Sequence, residues 1–270
     1  MMVLVNGELA DTLSVHDRAL AYGDGVYRTL ELIDGQPRLW PWQWARLQAD
    51  CAALALPCPD ETVLLAELAR AASGLARAVA KVTISRGQGM RGYAIPVAAA
   101  GSRVVAVSAW SGYPPACARE GIAARWCDMR LAIQPRLAGI KHLNRLENVL
   151  ARSEWQDPVL REGLMLDSEG YVVEGTMSNL FVLRGGEVLT PALDRCGVSG
   201  ALRAWLLDSL PALGYLPKVV RLLPQDVLMA DEVFLCNSLI GIWSLARLDE
   251  RIWDDFALAQ RLQARLARES

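Results

Sequence analysis

The stretch Ala138-Gly139-Ile140-Lys141-His142-Leu143-Asn144-Arg145-Leu146-Glu147 sets a lysine in a largely apolar context just ahead of a helix. The spacing of Leu146, Val149 and Leu150 predicts that helix over residues 143–155. A lysine so placed has two readings: a surface residue whose stem snorkels, or a desolvated amine whose lowered pKa makes it a nucleophile and a base. The only other amines on side chains are Lys81 and Lys218, the remaining cations being arginine. What lies around Lys141 therefore decides both the fold and the chemistry.

Outward from it, strands and helices mix without the regular βαβ alternation of a doubly wound sheet. Val3-Leu4-Val5, a turn at Asn6-Gly7, and the β-rich run 25–33 closed by Asp34-Gly35 predict a small sheet. Trp44, Leu47, Cys51 and Leu54 recur at helical spacing and predict a helix over 42–56; a second is expected over 60–75, behind an Asp60 cap. Residues 80–85 and 103–109 alternate as strands around the exposed glycine-rich loop Arg86-Gly87-Gln88-Gly89-Met90-Arg91-Gly92-Tyr93. The paired prolines of Ser111-Gly112-Tyr113-Pro114-Pro115 stop helix and central strand alike. They divide the chain into a small N-terminal α/β domain over 1–110, a linker over 111–118 and a larger C-terminal α/β domain over 119–270 that holds Lys141. Within the latter, residues 163–190 read as a meander, Gly197-Val198-Ser199-Gly200 opens a helix reaching 210, residues 232–236 form a strand ending in Asn237-Ser238, and an amphipathic helix follows. The class is α+β in two parts.

Composition removes several function classes. The chain has 270 residues, 53% of them hydrophobic, enough for one large core or two modest ones. With 28 Lys+Arg against 30 Asp+Glu it has no basic face on the scale that nucleic acid requires. No stretch approaches the roughly 18 apolar residues of a membrane span, and the first ten residues carry Glu8 and no cation, so the expected location is the cytoplasm. Cys51, Cys58, Cys117, Cys127, Cys196 and Cys236 show no C-x-x-C pair and read as reduced thiols. With His16 and His142 as the sole histidines, no multi-histidine metal site is expected.

A Schiff-base cofactor such as pyridoxal 5′-phosphate needs a lysine, an acid for its pyridine nitrogen and a phosphate cradle. Each has a candidate. Glu174, flanked by β-branched residues and glycine, would be costly to bury without a cationic partner, which either a pyridinium or an arginine supplies. Gly197 to Gly200 offers amides and a hydroxyl at a helix start, the features of an anion site and equally of a plain cap. Asn237-Ser238 ends a strand where it can reach the same oxygens, and Arg46 either completes the cradle or is a solvated helix charge.

In order and spacing these residues resemble the fold-type IV pyridoxal-phosphate enzymes, the group of branched-chain and D-amino acid aminotransferases and aminodeoxychorismate lyase. The resemblance covers nearly the whole chain: Asp17-Arg18-Ala19, Tyr22-Gly23-Asp24-Gly25-Val26-Tyr27, Arg46-Leu47, Ser85-Arg86-Gly87, Arg91-Gly92-Tyr93, Lys141, Glu174-Gly175, Ser178-Asn179-Leu180-Phe181, Gly197-Val198-Ser199-Gly200 and Cys236-Asn237-Ser238. The segment from Ala138 to Glu147 is similar to the lyase branch, since the aminotransferases carry other residues after the lysine.

The resemblance implies that Lys141 binds the cofactor covalently and that Glu174 pairs with the pyridine nitrogen. It assigns Arg46, the Val198 backbone, Ser199 and Ser238, with Asn237 beside it, to the phosphate. Tyr27, Arg91 and Tyr93 match a tyrosine, an arginine and a histidine that trap the substrate carboxylate in the D-amino acid aminotransferases; tyrosine in place of histidine suits a larger, doubly carboxylated substrate. For the lyase branch the implied reaction converts 4-amino-4-deoxychorismate to 4-aminobenzoate and pyruvate, a step of folate synthesis, with Lys141 removing the proton. The alternative is an aminotransferase acting on D-alanine or branched-chain substrates. Thr29, two residues from Tyr27 in a strand, faces the same way and either serves the leaving group or is an ordinary strand residue. The loop carrying Arg91 and Tyr93 is implied to reach a partner's active site, which makes the expected assembly a homodimer with shared sites; its other reading is a flexible solvent loop.

Overall fold

Alternation along Gly25–Ile33 builds the first sheet: Val26, Arg28, Leu30 and Leu32 are buried on one face, and Tyr27 and Thr29 are half-buried on the other. In the computed structural model, which describes residues 1–97 and 100–269, this strand is β3. Its companions are β1 (Met2–Val5), β2 (Glu8–Leu9), β4 (Gln36–Pro37), β5 (Arg77–Ser85) and β6 (Ser102–Ala109), in the order β2-β1-β6-β5-β3-β4. Helices α1 (Arg18–Tyr22), α2 (Trp40–Ala53) and α3 (Glu61–Ala71) join them. The Asp60 carboxylate caps α3 by accepting from the amides of Thr62 (2.8 Å) and Val63 (3.2 Å). Leu47 and Cys51 of α2 and Leu64 and Leu68 of α3 close over Val26, Leu30, Val82 and Val105. Each leucine so buried contributes roughly 1.5–3 kcal/mol.

The chain falls into two units, Met1–Gly112 with Ile140–Asn144, and Tyr113–Gly139 with Arg145–Ser270. Lys141, expected in the C-terminal domain, thus belongs to the first unit. The reason is a vacant sheet edge: β5 pairs with β3 along its whole length, but β4 meets it only at Leu32 and Ile33. The lysine segment takes up the start of that edge, the Tyr27 amide donating to the Lys141 carbonyl (3.0 Å) and the Leu143 amide to the Gly25 carbonyl (3.0 Å). A side chain at Gly25 would stand 2.8 Å from Leu143 Cδ1 and 2.6 Å from the Ile84 carbonyl oxygen, so glycine is needed for the approach. The same commitment shortens the helix expected over 143–155.

In the second unit α4 (Pro115–Arg119) takes up much of the expected linker, with Cys117 buried in that unit's core. The unit continues through β7 (Ile122–Leu131), α5 (Leu146–Arg152), β8 (Leu160–Asp167), β9 (Val172–Gly175), β10 (Asn179–Arg184), β11 (Glu187–Pro191) and α6 (Ala201–Ser209). It ends with β12 (Lys218–Val220), α7 (Pro224–Leu228), β13 (Glu232–Asn237), β14 (Gly241–Leu248), β15 (Arg251–Ile252) and α8 (Ala257–Leu266). The strands form a mixed sheet in the order β12-β11-β10-β13-β14-β7-β8-β9, with β15 on β14. Its core sets Leu164, Leu180, Val182, Val233, Leu235 and Leu245 together. An antiparallel sheet in the first unit and a mixed one in the second, with interspersed helices, bear out the α+β class.

Candidate active site

The first unit carries Lys141 at the edge of β3. Its Nζ stands 4.7 Å from the Tyr27 ring centroid, and the Lys81 Nζ stands 5.0 Å from the same centroid. A ring facing two ammonium groups attracts both through its quadrupole while keeping water from that side of each. Thr29 pairs directly with Lys81 across the β3/β5 ladder, so Tyr27, Thr29 and Lys81 share one sheet face. Lys81 is a residue that sequence reasoning counted only as an amine; its pairing with Thr29 is what places it here.

Behind the lysine lies a buried ion pair. Arg28 donates to Asp50, and Asp50 Oδ2 also accepts from the Lys141 backbone amide at 3.3 Å. Arg28 further donates to the Arg46 carbonyl (3.2 Å), tying β3 to the helix that carries Arg46. Burial pushes the Asp50 carboxyl above its ordinary value and the Arg28 guanidinium below its own, so each depends on the other to stay charged. Among the described residues the half-buried Arg46 guanidinium finds no hydrogen-bond acceptor. Arg91 and Tyr93 are exposed on the 86–93 loop of this unit.

The second unit carries Glu174 on β9, 3% exposed, with Oε2 accepting the Val198 amide at 2.8 Å. Gly197, at φ +82°, is what turns that amide toward β9. The Val198 N–H, assigned by resemblance to the phosphate, is held by Glu174 in this structure. The Ser199 amide is likewise engaged, donating to the Gly139 carbonyl (2.9 Å), and the Gly200 amide donates to Asn179 Oδ1 (3.1 Å). Of Ser199 only the hydroxyl is left for a ligand. The Asn237 side chain is engaged as well. Its Nδ2 donates to the Met177 carbonyl (2.9 Å) and its Oδ1 accepts from Leu239 (2.8 Å) and Ile240 (2.9 Å), so the side chain closes the β13–β14 turn. Ser238 lies in that same turn.

A phosphate still has donors here. Ala201 and Leu202, the first residues of α6, are 2% and 1% exposed, and their amides have no acceptor among the described residues. Buried amides at a helix start need an anion or its equivalent. These two went unrecognised in the sequence, where the glycine-rich quartet just ahead drew the assignment. The donor set of this unit fits a phosphate-bearing cofactor.

A lysine on a sheet edge, a buried carboxylate and an amide-lined helix start are the equipment of a pyridoxal 5′-phosphate enzyme. The chain belongs to the family of class IV amino-transferases, whose model matches residues 25–248. It is 45% identical to Pseudomonas aeruginosa 4-amino-4-deoxychorismate lyase, whose crystal structure matches with a TM-score of 0.93 over 98% of each chain. It is 37% identical over 244 residues to the aminodeoxychorismate lyase of Vibrio harveyi, covering 89% of both chains. A D-alanine aminotransferase of Listeria monocytogenes is 27% identical over 266 residues, covering 92% of this chain and 88% of the other. The cofactor is pyridoxal 5′-phosphate, as expected for this family.

Proposed function

We propose that the chain cleaves 4-amino-4-deoxychorismate to 4-aminobenzoate and pyruvate. One observation carries the reading: the likeness to a lyase at 45% identity over 98% of both chains, against 27% for the aminotransferase. When bound, the cofactor supplies an electron sink for the pair left as a C–H bond beside the amine breaks. Lys141 would hold it covalently and, as a free amine, would take the proton from the ring carbon that bears nitrogen. Glu174, 3% exposed, would keep a proton at the pyridine nitrogen, where a carboxylate favours the charged form. Arg46, the Ser199 hydroxyl, Ser238 and the amides of Ala201 and Leu202 hold the phosphate.

Thr29 offers its hydroxyl to the departing enolpyruvyl oxygen, on the face it shares with Tyr27 and Lys81. Tyr27, Lys81, Arg91 and Tyr93 receive the carboxylates. Loss of enolpyruvate leaves an aromatic ring, which makes the elimination effectively irreversible. The working assembly in this reading is a C2 homodimer in which the 86–93 loop of one copy serves the site of the other. No helix among the described residues is long and apolar enough to cross a membrane. The reading places the enzyme in the cytoplasm, in keeping with six free cysteines.

The deciding experiment measures pyruvate and 4-aminobenzoate formed from 4-amino-4-deoxychorismate beside a coupled D-alanine/2-oxoglutarate assay. Product in the first and little in the second is expected; the reverse would move the chain to the aminotransferases.

A further inference from the structure

The glycines of the 86–93 loop suggest freedom to move, yet α1 fastens its backbone. Arg18, 4% exposed, spreads its guanidinium over three acceptors: Nε donates to Asp24 Oδ2 (2.8 Å), Nη1 to the Gly92 carbonyl (3.0 Å) and Nη2 to the Tyr93 carbonyl (3.4 Å). The Gly92 amide donates to the Tyr22 hydroxyl (3.1 Å). The Tyr22 ring lies under the Arg18 guanidinium, 4.7 Å from its centroid, and meets the Tyr93 ring at 5.4 Å. The base of the loop is held as firmly. Arg86 forks onto both oxygens of Asp24 and donates to the Leu54 and Ala55 carbonyls, while the Arg18 amide donates to the Gly87 carbonyl (2.9 Å).

The side chains at the tip tell the opposite story. Met90 is 89% exposed, Tyr93 87%, and Arg91 is exposed between them. A loop that served only to close a sheet would turn such side chains inward and leave its backbone to water. Here the backbone is bound and the side chains are presented.

We propose that Arg18 and Tyr22 are positioning residues for substrate recognition: by fixing Gly92 and Tyr93 through the backbone they hold the Arg91 guanidinium and the Tyr93 hydroxyl where a substrate carboxylate meets them. The proposal rests on the reading of Arg91 as a carboxylate-binding residue. Arginine is required at 18, because a planar fork serves three acceptors that a lysine's point charge cannot. A preorganised cation binds a carboxylate without first losing the loop's freedom, so the benefit falls on substrate affinity.

Three variants of the holoenzyme test this, Tyr22→Phe, Arg18→Lys and Arg91→Ala, with KM and kcat for 4-amino-4-deoxychorismate, the cofactor dissociation constant, and amide exchange at Gly92 and Tyr93 measured without substrate. Tyr22→Phe removes only the acceptor for the Gly92 amide, so it tests the idea even if Arg18→Lys fails to fold. Expected are faster exchange at Gly92 in Tyr22→Phe, a KM raised roughly tenfold for one lost hydrogen bond, and kcat and cofactor affinity within about twofold. Arg91→Ala should raise KM at least as much. If Arg91→Ala raises KM but Tyr22→Phe leaves it unchanged, whether or not exchange quickens, the positioning role is overturned and the carboxylate role of Arg91 stands. If Arg91→Ala itself leaves KM unchanged, the carboxylate reading fails and the proposal with it.

Discussion

Replacing Arg28 by leucine would leave Asp50, whose side chain is 5% exposed, as a buried carboxylate with the Lys141 amide as its remaining close donor. Breaking a buried pair in this way costs about 3–5 kcal/mol, most of it the desolvation of the charge left behind. Removing both charges in Arg28→Leu/Asp50→Leu is a smaller change. Leucines fill the volume and no ion is stranded, so the loss comes down to an orphaned Lys141 amide, about 1–3 kcal/mol. The double variant should therefore be more stable than Arg28→Leu alone, a non-additivity that an exposed pair would not show. Urea unfolding of the cofactor-free protein for wild type, both single variants and the double gives the cycle directly. The cofactor dissociation constant of the double variant reports what the Asp50 tether contributes to Lys141. A cost below about 1 kcal/mol for Arg28→Leu, or a double variant no more stable than that single one, would refute the buried-pair argument.

Arg46→Ala should weaken cofactor binding by about tenfold or more, the loss of a charge-assisted bond worth roughly 1.5–3 kcal/mol, with KM for substrate at saturating cofactor changing much less; fluorescence titration with pyridoxal 5′-phosphate measures it. Glu162, 1% exposed, accepts from the Thr176 and Met177 amides and from the Thr176 and Ser178 hydroxyls. Glu162→Gln would set an N–H against one of these donors and cost about 1–3 kcal/mol in denaturant unfolding. Burial alone would raise the Asp24 carboxyl, but hydrogen bonds from Arg86 and Arg18 outweigh it and hold the group below its ordinary 3.8. Its contribution to stability is thus full above 3.8 and is lost as pH falls through the lower folded value. Melting temperature should drop more steeply with acid below that point in the wild type than in Asp24→Asn, and parallel curves would mean that the two arginines do not hold the charge.

How much of this was legible in the sequence depends on whether the deciding physics is local. The Asp60 cap and the alternation of β3 and β5 are properties of a few adjacent residues, and they read correctly. Strand β7 did not, because its ladder is irregular: register shifts between Ala123 and Ala124 and between Trp126 and Arg130 break the period-2 signal that would have announced it. The unit to which Lys141 belongs was also out of reach, since it follows from β4 being too short to cover β3, and that is known only once the strands are paired. At the phosphate donors the backbone adds what the side chains do not show. Glycines advertise bare amides, so Gly197 to Gly200 drew the assignment, but those of Val198, Ser199 and Gly200 are engaged by Glu174, Gly139 and Asn179. The Asn237 side chain is likewise engaged, its amide by the Met177 carbonyl and its oxygen by the turn it closes. A group is open to a ligand only when the fold leaves it unsatisfied. By that criterion the first turn of α6, at Ala201 and Leu202, offers an anion two further amides, where the side chains carry no sign of them and only the backbone does.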